Sequence, residues 1–385
     1  MTRFFLPLLI FSLTIFSVSL SAQTESNIHL NSPLKTIDTR VITKIPPILK
    51  ESSGIAVTNP NTIWSHNDAN NTNQLFCFDT TGTLLRTLTV INATNVDWED
   101  LTMDNLGRLY IADAGNNDND RTDLKIYRIP NPDNIAGNII EAETIKFALE
   151  DQYQFPPPAT NKNFDIESIL WKNDSIFLFT KNRSNPQNGF CKMYKLPANP
   201  GTFIAQLAGS IYLGSVNEEA RVCSADINPN TGEVILLTVT KIVSFTKYPN
   251  NDFFRGEKNE YYFSSPQGQL EGVQFVDNQR LYITEENSKR SAGNLYEVRW
   301  PGTSTVDEYL LKGVNIYPNP VTGNLIIEKE INEPLQVDIW DIKGRMMEVT
   351  EKTDSMINLQ HLKPGIYFIR LSNNNKLFIT RLVKQ

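Results

Sequence analysis

The sequence predicts an all-β protein: a β-propeller of five blades, with six as the alternative, followed by a small immunoglobulin-like β-sandwich. Three observations indicate this fold. Helical periodicity is nearly absent before Tyr317, one strand-rich unit recurs through the central region, and short alternating apolar runs follow Tyr317. A β-sandwich or a β-solenoid is the alternative architecture for the repeats. The predicted division is a signal peptide (1–22), a propeller (30–303), a linker (304–313) and a C-terminal domain (314–385).

The first residues are typical of a secretory signal peptide. Arg3 precedes an apolar run over residues 4–20, and small residues then lead to polar Gln23. A basic start, an apolar stretch and small residues before a polar chain are the pattern of a cleaved leader. A transmembrane anchor is the alternative, because the run is close to the lower length limit for a span. We expect residues 1–22 to be removed and no transmembrane anchor to follow.

The composition limits the classes of function. The net charge is −7 at pH 7 and no Lys/Arg cluster tracks a groove, so we expect no nucleic-acid binding. The three cysteines, Cys77, Cys191 and Cys223, are an odd number, which argues against a disulfide framework and predicts buried free thiols. With three histidines and neither a Cys-x-x-Cys nor a His-x-x-x-His pattern, a zinc site is not expected.

The repeated unit has a short acidic or small motif, an apolar strand, a tight turn, a second apolar strand, a polar loop and a third strand. Its clearest copy covers residues 270–298. Two further copies start at Asp97 and Asp165, and weaker copies start at Glu51 and Cys223. Starts that are about 45 to 70 residues apart match one four-stranded propeller blade each.

The residues ahead of the first copy predict how the ring closes. The last copy lacks an obvious fourth strand before Pro301, whereas residues 35–42 have the composition of a strand. Joining the two ends of the repeat region in one blade removes open sheet edges. We therefore expect residues 35–42 to complete the last blade.

Polar residues at the strand ends predict one functional rim. In a propeller, the start of each first strand and the end of each second strand meet at the same end of the central channel. The first-strand starts contribute Ser53, Glu99, Glu167, Ser224 and Glu271. The second-strand ends contribute His66, Asn67, Asp68, Asp113, Lys181, Asn182, Arg183, Lys241, Glu285, Glu286 and Asn287. We expect an acidic and amide-rich opening to the channel.

Oxygen ligands that converge on one opening suit a hard cation such as calcium. Glu99, Glu167 and Glu271 are the candidate metal ligands. A metal at this place can polarise an ester or phosphate oxygen and activate water. Without a metal, crowded carboxylates raise one another's pKa and can supply a general acid and a general base. The sequence assigns no catalytic residue.

The candidates for contact with a ligand are the polar residues at the second-strand ends. They are His66, Asp68, Asp113, Lys181, Arg183, Glu285 and Asn287. Four cations near the same rim, Lys181, Arg183, Lys289 and Arg290, can clamp an anionic substrate.

Repetition also favours a structural role for the rim acids. The same motif in several blades can accept backbone N–H bonds between blades and hold the ring together, whereas an active site needs asymmetry. Structural, metal-binding and catalytic roles therefore remain open for these residues.

The C-terminal region carries a different pattern. The motif Tyr317-Pro318-Asn319-Pro320 cannot be helical, because two prolines remove donors and push their predecessors into extended conformations. Five short alternating runs follow between Asn324 and Leu382, separated by turn signals, and predict a small antiparallel sandwich.

Three further motifs follow Tyr317-Pro318-Asn319-Pro320 in order. They are Asp341-Ile342-Lys343-Gly344-Arg345, Leu362-Lys363-Pro364-Gly365-Ile366-Tyr367 and the basic tail Arg381-Leu382-Val383-Lys384. With these motifs, the segment closely resembles the type A C-terminal sorting domain of the type IX secretion system of Bacteroidota. The resemblance implies handling by the secretion machinery, export across the outer membrane and usually removal of the sorting domain. It also implies either release or attachment to surface lipopolysaccharide.

The repeats carry two further resemblances. Through Leu270-Glu271-Gly272-Val273 and Asp165-Ile166-Glu167-Ser168 they resemble phytase-like esterase propellers. They also resemble the gluconolactonase and senescence-marker group, which carries a calcium ion at the channel mouth held by Glu, Asn and Asp. The basic phosphate-binding lining of a phytase is thin here, and analogy of fold does not establish function.

The function expected from the sequence is that of an exported or cell-surface propeller. It is delivered by the type IX secretion system and binds a ligand or partner, with calcium, at an acidic channel rim. The alternative is a calcium-dependent hydrolase of esters, lactones or phosphate esters.

Overall fold

A computed structural model provides the structure of the chain. It describes residues 35–215, 217–265, 267–288, 291–301, 314–329, 334–348, 355–373 and 376–385. The predicted signal peptide, the predicted linker and the pair Lys289 and Arg290 lie outside the described residues. Within the described ranges, no helix is long and apolar enough to cross a membrane.

The first two blades follow two short strands. The leading strands are β1 (Thr36–Ile37) and β2 (Thr39–Lys44). The first blade contains β3 (Ser52–Asn59), β4 (Thr62–Asn67), β5 (Gln74–Phe78) and β6 (Leu84–Val90). The second contains β7 (Trp98–Met103), β8 (Leu109–Asp113), β9 (Lys125–Ile129) and, after the short β10 (Ile139–Ile140), β11 (Glu143–Leu149). Strand β10 pairs with the outer edge of β6 in the first blade.

Three further blades have the same order. The third contains β12 (Ile166–Lys172), β13 (Ser175–Thr180), β14 (Phe190–Pro197) and β15 (Gly201–Tyr212). The fourth contains β16 (Val222–Ile227), β17 (Val234–Thr238), β18 (Lys241–Thr246) and β19 (Glu257–Phe263). The fifth contains β20 (Leu270–Asp277), β21 (Arg280–Glu285), the hairpin β22 (Asn287–Ser288) and β23 (Ser291–Ala292), and β24 (Asn294–Arg299). Four short 3₁₀ turns cover Pro132–Asn134, Ala159–Asn161, Asn217–Glu219 and Phe253–Arg255.

The ring closes through the second part of the predicted segment 35–42, because β1 instead pairs in parallel with β19 of the fourth blade. Strand β2 pairs antiparallel with β24, so the N-terminal segment supplies the fourth strand of the last blade. The innermost strands β3, β7, β12, β16 and β20 contact one another in ring order. Residues 35–301 therefore form a five-bladed propeller, and the six-bladed alternative is wrong.

The cores lie between the blades. Five apolar clusters each combine side chains of two neighbouring blades, as Trp64 and Trp98 do between the first and the second. Because each blade is covered on both faces, strands β8 and β17 are buried along their whole length. This explains their unbroken apolar sequences, which resemble those of strands covered on two sides. Cys77, Cys191 and Cys223 are buried free thiols, which confirms that prediction.

The buried carboxylate of Asp100 connects three inner strands at the centre of the ring. It accepts the N–H of Ile169 at 3.0 Å and of Ala225 at 3.3 Å, and the hydroxyl of Ser224 at 3.0 Å. Burial raises the pKa of Asp100 well above its usual range, and these donated hydrogen bonds oppose the rise. Ser224 in turn accepts the N–H of Val273, so the chain of bonds reaches the fifth blade.

Further side chains connect neighbouring inner strands in the same way. The Thr102 hydroxyl accepts the Trp171 N–H at 3.0 Å, and the Asp226 carboxylate accepts the Phe275 N–H at 2.7 Å. The Gln274 side-chain oxygen accepts the N–H of Val57 and so joins the fifth blade to the first. Side chains on the inner strands thus supply the structural role that repetition favoured.

The C-terminal residues form two facing sheets. The strands are β25 (Val314–Tyr317), β26 (Asn324–Lys329), β27 (Gln336–Asp341), β28 (Met346–Met347), β29 (Met356–Asn358), β30 (Gly365–Asn373) and β31 (Lys376–Lys384). The sheet orders are β25-β26-β29 and β28-β27-β30-β31, and a separate apolar cluster fills the space between them. The predicted small sandwich is confirmed. Asn319 of the proline motif binds the last strand, since its amide donates to the Arg381 carbonyl and accepts the Val383 N–H.

We expect Asp100→Ala to lower the free energy of unfolding by about 3 kcal/mol or more, because three buried donors of neighbouring strands lose their acceptor. Equilibrium unfolding in urea measures this loss. Asp118→Ala, at a carboxylate that is 83% exposed, is the matched control and should change stability by less than about 0.5 kcal/mol. Equal midpoints for the Asp100 variant and the wild type would contradict the role given to Asp100.

Candidate functional site

The register of every inner strand shifts near its start. The shifts lie between Ser52 and Ile55, Trp98 and Leu101, Ile166 and Ser168, Val222 and Ser224, and Leu270 and Gly272. Such a β-bulge adds one residue to a strand and changes the direction of its side chain. The corresponding residues in the five blades are Ser53, Glu99, Glu167, Cys223 and Glu271. The prediction that Ser224 belongs to this set is wrong by one position, because Ser224 bonds within the ring.

The bulged residues of four blades line a cavity of about 500 Å³ at the mouth of the channel, here called the channel-mouth cavity. Six of the residues singled out in the sequence line it: Asp68, Glu99, Glu167, Lys181, Arg183 and Glu271. Arg221 and Cys223 of the fourth blade complete the same wall. The starts of the first strands and the ends of the second strands thus meet at a cavity, as predicted.

Four other candidates lie outside the lining. His66 is fully buried, its Nδ1 contacts the Asn67 carbonyl at 3.0 Å, and burial lowers its pKa to about 4. The Asp113 carboxylate pairs with Arg121 at 3.0 Å.

The remaining two candidates belong to the fifth blade. Glu285 accepts the Asn294 side-chain N–H at 2.9 Å, within its own blade. Asn287 is exposed. Lys241, predicted at the rim, instead begins β18, where its ammonium is buried and pairs with Glu260 at 3.0 Å. That prediction is wrong, because Lys241 starts the third strand of its blade rather than ending the second.

One acidic cluster, of which Asp68 and Glu99 line the channel-mouth cavity, forms no ion pair among the described residues. Asp68, Asp97 and Glu99 each place one carboxylate oxygen within 4.8 Å of the others. Among the described residues, none of the three forms an ion pair with a lysine or arginine, and one buried oxygen of Asp97 has no hydrogen-bond partner. We call these three residues the acidic triad.

A second cluster shares Glu99 and is balanced. Glu99, Asp165 and Glu167 also place oxygens within 4.8 Å of one another. Here Lys181 pairs with Glu167 at 2.8 Å, and Arg183 pairs with Asp165 and with Glu167, each at 2.6 Å. Glu99 therefore lies at the boundary between a neutralised cluster and an unneutralised one.

The pKa values follow this division for Glu167 but not for Asp165, whose pKa burial and the charge of Glu167 raise to about 7. Burial and the charge of Glu167 raise the pKa of Asp68 to about 8 and that of Asp97 to about 6, and they raise the pKa of Glu99 well above its usual range. Burial alone would raise the pKa of Glu167 as well, but Lys181 and Arg183 hold it at about 2. Glu99 is in hydrogen-bond contact with both Asp97 and Glu167, and so it links the two clusters.

Gly115 allows the acids to pack this closely. A Cβ at this position would lie 2.1 Å from a Glu99 carboxylate oxygen and 2.5 Å from an oxygen of Asp97. Any side chain there would push the acidic triad apart. The loop after β8 therefore covers the triad without filling its centre.

Three site residues were missed in the sequence: Asp97, Asp165 and Arg221. The available signal was the repeated Asp-x-Glu spacing, Asp97 with Glu99 and Asp165 with Glu167. At the same spacing from the bulged position, the fourth blade has Arg221. Comparing this position across all the repeats would have revealed both the second acidic residue and the blade in which its charge is reversed.

Comparison with known proteins identifies the C-terminal region. Residues 315–385 match the secretion system C-terminal sorting domain, which confirms the resemblance to the type IX sorting domain. The protein is therefore handled by that secretion machinery and is destined for secretion or for the outer-membrane surface. No curated protein matches the chain.

Several solved structures share similarity with the chain at low identity. PorZ, a surface component of the type IX secretion system of Porphyromonas gingivalis, is 13% identical over 87% of this chain and 45% of its own, with a TM-score of 0.34. A gluconolactonase from Xanthomonas campestris is 12% identical over 66% of this chain and 73% of its own, with a TM-score of 0.37.

A Bacteroides thetaiotaomicron protein of unknown function is 6% identical over 68% of this chain and 75% of its own, with a TM-score of 0.38. The chain thus spans less than half the length of PorZ. At these TM-scores the similarities assign no function to it.

Without divalent cations, we expect the melting temperature of the full chain to fall as the pH rises from about 5 to about 8. The folded-state pKa values of Asp97, Asp165 and Asp68, about 6, 7 and 8, lie above the ordinary aspartate pKa of 3.8. The folded state therefore binds more protons than the unfolded state in this window, and its stability is lost as the pH rises through these values. Glu167 acts with the opposite sign, but only below its ordinary pKa of 4.5.

Thermal unfolding at a series of pH values measures the slope. Asp97→Asn should make it shallower, because one raised pKa is removed, whereas Asp118→Asn at an exposed site should leave it unchanged. A melting temperature that rises steadily over this pH window would contradict the raised pKa values of these three acids.

Proposed function

We propose that the protein is a surface-delivered propeller that binds a ligand in the channel-mouth cavity through a divalent cation held by the acidic triad. Calcium is the cation that fits best, because hard carboxylate oxygens are the ligands it prefers. The observation that carries the proposal is the convergence of Asp68, Asp97 and Glu99 without a balancing cation. A divalent cation at their centre would balance the charge of the three carboxylates and remove their mutual repulsion.

The structural alternative does not account for the triad. Carboxylates that hold the ring together accept backbone N–H groups of the next blade, as Asp100 and Asp226 do. The Asp97 and Glu99 carboxyl groups instead lie against each other, and burial together with the charge of Glu167 raises both pKa values. An arrangement that costs stability when empty supports a binding role.

The sorting domain supports a proposal about the exported form. We propose that residues 1–22 are a signal peptide, that the sorting domain is removed after export, and that the propeller is then released or attached to surface lipopolysaccharide. Mass spectrometry of protein recovered from the cell surface and from the medium tests both cleavages. Recovery of the uncleaved chain from both fractions would exclude them.

We expect calcium to raise the melting temperature of the full chain by about 5 °C at a concentration 100 times its dissociation constant, where binding contributes about 2.7 kcal/mol. Glu99→Gln should abolish this rise. It should also melt at least as high as the calcium-free wild type, because an amide in place of the carboxyl relieves the repulsion. Thermal unfolding in a calcium titration measures both effects.

The matched control is Glu257→Gln, which changes an exposed carboxylate on an outer strand and should respond as the wild type does. If millimolar calcium leaves the melting temperature of the wild type unchanged, the proposed cation site is wrong. Loss of folding in both Glu99→Gln and Asp97→Asn would instead favour a structural role for the triad.

A second candidate function is hydrolysis of esters, lactones or phosphate esters. The observation in its favour is the pair Glu99 and Glu167, whose pKa values are shifted in opposite directions within one cavity, as in sites that combine an acid with a base. A bound cation would supply Lewis acidity there. Glu99 can give a proton to a leaving oxygen, while Glu167 stays ionised.

A panel of p-nitrophenyl esters, p-nitrophenyl phosphate and small lactones tests this second function with calcium present. If the protein is a hydrolase, at least one substrate turns over, and Glu99→Gln lowers kcat by about a hundredfold or more, the usual contribution of a general acid. Glu257→Gln should retain full activity. If the protein hydrolyses no substrate in the panel, the proposal of ligand binding without hydrolysis is favoured.

A further inference from the structure

The fourth blade breaks the charge pattern of the ring. Two positions before the bulged residue, the second and third blades have Asp97 and Asp165, and the fourth has Arg221. At the bulged position itself, the fourth blade has Cys223 in place of a glutamate. In the wall of the channel-mouth cavity, the fourth blade therefore contributes a guanidinium where the second, third and fifth blades contribute carboxylates.

Arg221 differs from the other two cations of the cavity lining. Lys181 and Arg183 are both paired with Glu167, and Arg183 also with Asp165. Arg221 forms no ion pair with any described residue, and its Nε is buried without a hydrogen-bond partner. A buried donor that bonds to nothing costs about 1 to 3 kcal/mol.

A backbone bridge fixes the position of the Arg221 main chain beside the cavity. Arg221 forms an isolated antiparallel bridge with Lys181, immediately before the start of β16. This bridge ties the entry to the fourth blade to the end of the second strand of the third. Arg221 is thus held at the cavity by the backbone rather than by a salt bridge, and its donors stay available to a ligand.

We propose that Arg221 binds an oxyanion, a carboxylate or phosphate group, of the ligand that the channel-mouth cavity holds. This inference rests on the proposed cation site, because an anion beside so many carboxylates needs the positive charge of the cation as well as that of Arg221. A guanidinium presents parallel N–H donors that match the two oxygens of such a group. The ligand then spans from the acidic triad to Arg221 with its anionic end at the fourth blade.

The polar lining between these two ends agrees with a small polar ligand. Gln267, Gln269 and Ser291 line the cavity between the fourth and fifth blades. The Ser291 hydroxyl already accepts the Gln269 N–H at 2.8 Å, so this stretch of wall is preorganised. Few apolar side chains line the cavity, which disfavours an apolar ligand.

Isothermal titration of the calcium-loaded full chain tests the proposal with four probes at constant ionic strength. Inorganic phosphate and acetate represent the two kinds of oxyanion. Acetamide is the uncharged counterpart of acetate, and methylammonium represents a cationic ligand. We expect phosphate, acetate or both to bind, and acetamide and methylammonium not to bind.

Arg221→Gln should weaken the binding of the oxyanion about tenfold or more, as expected from the loss of charge-assisted hydrogen bonds. The affinity of Arg221→Lys for the oxyanion should lie between those of the wild type and Arg221→Gln, because lysine keeps the charge and loses the paired donors. Arg255→Gln, at an exposed arginine of the same blade, is the matched control and should bind as the wild type does.

The outcomes separate this inference from the proposed function. A wild-type protein that responds to calcium but binds neither oxyanion overturns the role of Arg221 and leaves the cation site intact. Unchanged oxyanion affinity in Arg221→Gln also overturns it. A wild-type protein that does not respond to calcium overturns the cation site itself. The calcium response of Arg221→Gln shows whether that variant is folded.

Discussion

The Asp100 carboxylate is the interaction on which the ring depends. It lies where the inner strands of three blades approach one another, and it accepts donors from two of them while belonging to the third. The ring is too narrow there for bulky side chains: a Cβ on Gly54 would lie 2.5 Å from the Asp100 Cα. Gly54 and Gly272 occupy the corresponding positions in the first and fifth blades, and Ser168 and Ser224 those in the third and fourth. The narrow centre thus explains the small residues of the repeat motif.

Because Asp100 carries the structural role, its neighbour Glu99 is available for another one. Successive residues of a strand point to opposite sides, and the bulge at the start of the strand sharpens this difference. Asp100 therefore faces the neighbouring strands, and Glu99 faces the channel-mouth cavity. The residue with the structural role and the residue that faces the cavity are thus adjacent in the motif. In the fourth blade, Ser224 has the structural position and Cys223 the open one.

Much of this architecture could be predicted from the sequence, because it depends on local patterns. The blade repeat, the strand that closes the ring and the sorting domain all have short-range signals in apolar alternation and turn residues. The positions of Ser224 and Lys241 were predicted wrongly for the same kind of reason. A bulge or a tight turn shifts a residue by one position, and apolar alternation does not reveal that shift. The missing partner of Arg221 could not be predicted at all, because ion pairing between blades depends on distances that no sequence pattern encodes.

The symmetry of the ring also explains why a ligand site belongs where the repeat is broken. Five equal blades would place five equal side chains around the channel, and such a set can bind only a centred, symmetric object. The acids of the second, third and fifth blades and Arg221 of the fourth instead give the cavity wall an unequal distribution of charge around the ring. Lys181 and Arg183 neutralise Glu167 and Asp165 and so leave the triad as the centre of negative charge. Under the proposed function, this unequal cavity orients the ligand, and it departs from the other repeats at two positions of the fourth blade, Arg221 and Cys223.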